Sequence, residues 1–90
     1  MELTHDPKTN EFSALVEGQK CIVHYIVIDS NTLDIDHVFV PRTLQGKGVA
    51  RQMMEQVVRF LEHNKVKVET SCEYAKKFFD DDRYRKYLNK

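Results

Sequence analysis

One short segment of this sequence combines residue types and a spacing suited to binding phosphate. Gly46 and Gly48 lie between a predicted strand that ends at Val40 and a predicted helix that begins near Gly48. The free N–H groups and positive dipole end of that helix would attract an anion to the loop. Glycines let a phosphate approach the backbone amides, and Lys47 and Arg51 can add positive charge. These residues alone fit equally well a tight turn that binds nothing.

Two common phosphate motifs do not fit this loop. A Walker loop requires Ser or Thr after its Gly-Lys pair, whereas Gly48 follows Lys47 here. A dinucleotide fingerprint requires a third glycine where Arg51 stands, and its fold requires repeated βαβ units, for which there is no room. A phosphate ligand of this loop is therefore of another kind.

The strands that must position the loop are predicted from hydrophobic patterns. Residues 12–16, 21–28 and 33–40 have strand compositions, and their short connections predict an antiparallel meander. Residues 21–28 are almost wholly apolar, which predicts a strand buried on both faces. Residues 4–10 are polar and contain Pro7, which indicates a flexible lead-in.

Strict alternation along the third predicted strand assigns its side chains to two faces. One face would carry Leu33, Ile35, His37 and Phe39, and the other Asp34, Asp36, Val38 and Val40. His37 is therefore expected among apolar neighbours on the strand that leads into the glycine loop.

The second half of the chain is predicted to begin with a long helix. Apolar residues at intervals of four predict an amphipathic helix over about residues 48–63. Residues 66–70 alternate with period two, so a fourth strand should run parallel to the third. Aromatic residues at helical spacing between 74 and 88 predict one or two short C-terminal helices. The fold class is thus α/β in the broad sense, as one domain over residues 1–90.

Composition limits the classes of partner. Fourteen Lys and Arg balance fourteen Asp and Glu in 90 residues, so no overall field draws the chain to nucleic acid or an anionic membrane. No stretch approaches the roughly 20 apolar residues of a membrane span, and the start does not resemble a signal peptide. Cys21 and Cys72 are expected to be free thiols, with no metal site. These features predict a cytoplasmic protein.

The loop and its surroundings resemble a known family. The hexapeptide Gln45-Gly46-Lys47-Gly48-Val49-Ala50 matches the GNAT acetyltransferase signature, which is Gln or Arg, two residues, Gly, one residue, then Gly or Ala. Residues 35–41, the long helix and residues 71–75 resemble the very short GNAT-like proteins of the YjdJ type. The sequence departs from their pattern at Val38, where they often have Thr, and at Ser71, where they often have Pro.

This resemblance implies a GNAT-like domain that binds acetyl-CoA in a cleft between splayed strands. The backbone of Val38 and Val40 would pair with the pantetheine arm. The pyrophosphate would rest on the loop formed by Gln45, Gly46, Lys47, Gly48, Val49 and Ala50. Larger members of the superfamily have further elements that shape the acceptor site, so the acceptor amine stays undefined here.

Acetyl transfer needs a deprotonated amine and a stabilised CoA thiolate, which suggests His37 and Cys72 as catalytic candidates. His37 would border the cofactor, with a packing role as the alternative. Cys72 follows the fourth strand, where short GNAT-like proteins have a cysteine considered an acetyl acceptor. A small buried apolar residue is the alternative for this thiol. Tyr74 could donate a proton to the thiolate, although core packing is the more common role for such a tyrosine.

These observations leave three functions open. The first is an N-acetyltransferase that moves acetyl from acetyl-CoA to an amine of a small molecule or protein, directly or through Cys72. The second is a non-catalytic module that binds CoA or acetyl-CoA and docks a partner protein. The third is a structural domain whose glycine loop binds nothing.

Overall fold

The sheet at the centre of the fold has five strands in chain order. In the computed structural model, which describes residues 1–89, the strands are β1 (Thr4–Asp6), β2 (Glu11–Val16), β3 (Gln19–Asp29), β4 (Thr32–Phe39) and β5 (Lys67–Thr70). Strands β1 to β4 are antiparallel neighbours, and β5 runs parallel to β4. The predicted α/β class, with its meander and parallel last strand, is confirmed; Lys90 lies outside the described residues.

The prediction of a flexible lead-in over residues 4–10 is wrong, because Thr4–Asp6 pairs with β2 as the edge strand β1. The ring of His5 stacks on Phe12 with centroids 4.3 Å apart, and Phe60 meets the same ring edge-on. Its Nε2 lies 2.8 Å from the Tyr25 hydroxyl oxygen. One partly buried side chain thus anchors an otherwise polar strand, which a hydrophobic pattern cannot reveal.

Two helices connect and follow the parallel strands. A single 3₁₀ turn (Arg42–Leu44) precedes helix α1 (Val49–Asn64), which crosses from β4 to β5. Helix α2 (Glu73–Phe79) follows β5, and a second 3₁₀ turn (Arg85–Tyr87) follows α2. The buried face of α1 repeats at helical spacing and consists of Val49, Met53, Met54, Val57, Val58 and Leu61.

The last described residues return to the sheet. Leu88 bridges Val68 of β5 in the parallel sense, and the Asn89 N–H donates to the Val68 carbonyl oxygen over 2.9 Å. The Tyr87 hydroxyl donates to the Glu62 carboxylate at the end of α1. Residues 87–89 are therefore tied to both the sheet and the long helix.

The hydrophobic core lies on one face of the sheet. Both helices and the inward side chains of β2 to β5 contribute to a single buried cluster. On the opposite face, Leu15, Ile26 and Phe39 are exposed. The prediction that residues 21–28 are buried on both faces is therefore wrong: Cys21, Val23 and Tyr25 are buried, whereas Ile26, Val27 and Ile28 are exposed. Both helices pack on the same side, which leaves the second face uncovered.

A bulge in β4 changes which side chains face the core. His24 and Tyr25 of β3 are adjacent, but they pair with His37 and Ile35, so Asp36 is an extra residue. After the bulge, Val38 and Val40 pack against the core, as Ile35 does before it. The predicted grouping of His37 with Leu33 and Ile35 is wrong, because strict alternation does not hold across a bulge.

Candidate functional site

Strands β4 and β5 separate where their pairing ends at Ile35 and Thr70. The N–H groups of Ser71 and Cys72 both donate to the Ile35 carbonyl oxygen, each over 3.1 Å. The buried carboxylate of Asp34 accepts the Ser71 hydroxyl and a second hydrogen bond from the Ser71 N–H. The chain then turns away into α2, while β4 continues to Phe39. Within residues 1–89, no strand pairs with this last part of β4 on the side facing β5, and a gap opens there.

A cleft of about 370 Å³ lies beside this gap. Its lining comes from the end of β4, the glycine loop, the first turn of α1 and the first turn of α2. The residues are Val38, Val40, Leu44, Gln45, Gly46, Gly48, Val49, Ala50, Arg51 and Tyr74. All of the predicted cofactor residues except Lys47 therefore meet in one cleft. Lys47 lies nearby and forms an exposed ion pair with Glu17 at 3.7 Å.

The loop presents the start of α1 to the cleft with uncapped amides. Gly46 and Gly48 both have φ of 80°, a left-handed conformation that favours glycine. Gly48 is the N-cap residue, no side-chain hydrogen bond caps the helix, and its first turn contains no acidic residue. A Cβ on either glycine would meet nothing within 4 Å in the protein. Backbone conformation, and open space above the helix end, are thus what these two glycines provide.

Polar contacts fix the loop between its strand and helix. The Gln45 side-chain amide donates to the Val40 carbonyl oxygen over 3.0 Å, which ties the loop back to the end of β4. The Gln19 side-chain amide donates to the Thr43 hydroxyl over 2.8 Å. The loop is therefore held by contacts with β4 and β3 that leave its glycines facing the cleft.

Tyr74 lies in the cleft, so the prediction that it is a packing residue is wrong. It belongs to the first turn of α2 and is 38% exposed. Partial burial raises the pKa of its phenol; Arg51 opposes this rise and Glu55 adds to it. The hydroxyl group therefore stays protonated at neutral pH and is available as a proton donor. Its position depends on the direction of α2, which the sequence pattern did not specify.

Cys72 is the residue before α2, at the point where β4 and β5 separate. Helix α2 begins at Glu73, and Cys72 is half-buried against the core. It does not line the cleft, although Tyr74 two residues later does. Cys21 is fully buried in β3, and burial raises the pKa of its thiol, which keeps it protonated. Of the two thiols, only Cys72 is thus placed near the strand gap.

His37 lies on the uncovered face of the sheet and does not line the cleft. It is exposed and stacks towards Phe39, with ring centroids 6.4 Å apart. Its cross-strand partner is His24, whose Nδ1 lies 2.7 Å from the carboxylate of the bulge residue Asp36. The structure therefore does not bring His37 to the glycine loop, and its catalytic role stays a prediction.

Parallel strands that separate beside an uncapped helix start are typical of a fold that binds the phosphates of a ligand at this edge. Comparison with known proteins defines the class further. The profile of the GCN5-related N-acetyl-transferase family matches residues 11–88. The chain belongs to this family.

Its relatives include short proteins from animals and a bacterium. Protein NATD1 from Danio rerio is 25% identical over 100% of this chain and 84% of its own length, and protein NATD1 from Homo sapiens is 21% identical over 100% and 81%. The NMR solution structure of a protein described as a GCN5-like N-acetyltransferase from Staphylococcus aureus is similar with a TM-score of 0.77. It is 26% identical, and the match covers 98% of this chain and 87% of that one.

Residues 1–89 contain neither a candidate membrane-spanning helix nor a candidate metal site. No helix there is long and apolar enough to cross a membrane. No group of three or more His, Cys, Asp or Glu side chains is arranged to hold a metal ion.

Proposed function

We propose that this chain binds acetyl-CoA in the cleft and transfers the acetyl group to an amine. The observation that carries the proposal is the uncapped first turn of α1, which begins at Gly48 beside the free edge of β4. Unpaired N–H groups at a helix start suit a pyrophosphate. Arg51 in the same turn and Lys47 in the loop add positive charge. Acetyl-CoA supplies an activated acyl group as a thioester.

The remaining lining suits the pantetheine arm. Val38 and Val40 give the cleft an apolar wall, to which Leu44 and Val49 contribute. The edge of β4 beyond Ile35 offers backbone groups to a ligand with amide groups of its own. An arm that runs from the loop along this edge extends towards Ile35, where β4 and β5 separate. These features support acetyl-CoA as the ligand of the cleft.

Tyr74 supports transfer as well as binding. Its protonated phenol faces the cleft from α2, where it can donate a proton to the departing CoA thiolate. A module that bound CoA without chemistry would have no need of this hydroxyl group. The non-catalytic module is the alternative, and binding without release of CoA thiol from acetyl-CoA would support it.

Cys72 offers a second route for the acetyl group. Its thiol lies at the separation of the strands, directly before the first residue of α2. In this route the Cys72 sulfur would form a bond to the thioester carbon while the carbon–sulfur bond to CoA breaks, and Tyr74 would protonate the departing CoA. The amine would then attack the acetyl carbon, which breaks its bond to Cys72 and restores the thiol. Peptide mapping after incubation with acetyl-CoA would find the acetyl label on Cys72, and Cys72→Ala would lack it; an unlabelled Cys72 leaves direct transfer.

Two finer assignments belong to this proposal. The resemblance of residues 35–41 and 71–75 to the YjdJ type favours that type among GNAT-like proteins. The cytoplasm is the proposed location, where free thiols such as those of Cys21 and Cys72 stay reduced.

Phosphate binding by the glycine loop is tested by the same substitution at two glycines with similar backbone conformation. Gly18, in the turn between β2 and β3, has φ of 77°, and a Cβ there also meets nothing within 4 Å. Asn tolerates this conformation better than other residues, so Gly48→Asn and Gly18→Asn should both fold. Only Gly48→Asn puts a side chain over the amides. We expect it to weaken CoA binding by about 1 to 3 kcal/mol, measured by isothermal titration calorimetry. Equal affinities of the two variants for CoA would contradict the proposal that the glycine loop binds its phosphates.

A further inference from the structure

The bulge in β4 carries a histidine–carboxylate pair beside the strand gap. Asp36 is the bulge residue and comes directly after Ile35, the last residue of β4 that pairs with β5. The Nδ1–H of His24 donates to its carboxylate over 2.7 Å. The side chains of His24 and Asp36 are 34% and 27% exposed, on the uncovered face of the sheet. The pair is thus accessible on the uncovered face, with Asp36 next to the end of the β4–β5 pairing and His24 one strand further from the gap.

This arrangement has a chemical meaning for one ring nitrogen. A carboxylate that accepts a hydrogen bond from Nδ1–H fixes the imidazole orientation and leaves Nε2 with a free lone pair. Among residues 1–89, His24 is the histidine that forms such a pair with a carboxylate. The neighbouring charged and titratable groups are Glu11, its partner across β2, and His37, its partner across β4. Glu11 also meets Lys20 at 3.6 Å.

We propose that His24, oriented by Asp36, is the base that deprotonates the acceptor amine. This inference rests on the proposed acetyl transfer, because it requires a thioester at the end of the gap beside Asp36. The acceptor then approaches from the uncovered face, while Tyr74 serves the thiolate from the face that carries the helices. The base and the acid therefore work on the same bond from opposite sides of the sheet.

The proton balance follows from these positions. Nε2 of His24 takes one proton from the ammonium form of the acceptor, which frees the nitrogen lone pair to attack the thioester carbon. A carbon–nitrogen bond forms and the carbon–sulfur bond breaks. Tyr74 gives its proton to the thiolate, and the second proton lost by the nitrogen restores the Tyr74 phenol. His24 releases its own proton to water, so the products are an amide, CoA thiol and one free proton.

His24→Gln tests the base, with His63→Gln as the matched control, because His63 is an exposed histidine in the last turn of α1. The assay follows release of CoA thiol from acetyl-CoA with a blocked peptide that contains one lysine. We expect His24→Gln to bind acetyl-CoA as the wild type does and to turn over roughly 100-fold more slowly, so that the loss falls on kcat and not on cofactor affinity. His63→Gln should behave like the wild type.

The outcomes separate this inference from the function beneath it. If His24→Gln turns over within a few fold of the wild type, the assignment of His24 as the base is wrong, whereas the proposed acetyl transfer still holds. A wild type that binds acetyl-CoA without releasing thiol overturns both.

Asp36 is assigned as a positioning residue, and its test does not depend on turnover. Nitrogen NMR of the ring in the protein without cofactor should show the Nδ1–H tautomer for His24. In Asp36→Asn that preference should be lost while the melting temperature stays close to that of the wild type. A wild-type ring that carries its proton on Nε2 would overturn the assignment.

Discussion

The two faces of the sheet use similar residues for different ends. The face under α1 and α2 buries Ile35 completely in the core and carries the cleft. The opposite face leaves Ile26 46% exposed and carries the pair of His24 and Asp36. Burial of apolar area is the main favourable term in folding, so stability must come from the first face. The second face contributes little to stability and is free to meet a substrate.

The largest effect should come from matched truncations on the two faces. Ile35→Ala removes a fully buried side chain and should lower the free energy of unfolding by about 2 to 5 kcal/mol. Ile26→Ala, on the neighbouring strand, removes a half-exposed side chain and should cost less than about 1 kcal/mol. Urea denaturation of both variants measures the difference. Similar losses would mean that the second face is also covered, as in a self-associated protein.

A smaller effect, on chemistry alone, should come from Tyr74→Phe. Loss of the hydroxyl group removes the proposed proton donor and keeps the ring, so turnover of acetyl-CoA should fall roughly 10- to 100-fold with CoA affinity unchanged. Tyr84→Phe is the control, since the Tyr84 ring stacks on Phe78 away from the cleft. If both variants keep wild-type turnover, the acid on the helix face is assigned wrongly.

The smallest expected effect is the pH dependence of stability that arises from His5 on the core face. Burial lowers the pKa of His5 on the core side from its ordinary 6.5, an effect that Asp6 partly opposes. The unfolded chain therefore binds the proton more readily, and stability should fall as the pH drops below about 6.5 towards the lower folded pKa. His5→Gln should flatten this part of the stability–pH curve, measured as the urea midpoint. An unchanged slope in the variant would assign the effect to other groups.

Local patterns predicted the elements of the fold well, because most of them depend on neighbours in sequence. The strand that leads into the loop, the glycines and the long helix all follow from periodicity and turn chemistry. The bulge at Asp36 depends on the register between two strands, so the face of His37 was assigned wrongly. Edge strand β1 depends on one side chain, His5, that reaches three distant rings.

The site was predicted in the same uneven way. The loop residues meet in the cleft because they are contiguous in sequence, whereas Tyr74 enters it from an element more than twenty residues later. The hydrogen bond between Asp34 and Ser71 fixes the turn into α2, and it cannot be predicted from local sequence because the two residues are far apart in the chain. The pair of His24 and Asp36 is likewise formed across two strands. Cross-strand contacts of this kind lie beyond single-sequence patterns.

The bridge between Leu88 and Val68 has a consequence for how copies of the protein behave at high concentration. An unpaired outer edge of β5 would offer hydrogen-bonding groups to a strand of another copy. Leu88 of the returning segment occupies part of that edge. The side-chain ammonium group of Lys67 on β5 also donates to the Lys86 carbonyl oxygen over 2.7 Å, which holds the same segment in place. At the other end of the sheet, β1 is only three residues long. The sheet is thus blunted at both sides, which protects the protein against growth into aggregates by edge pairing.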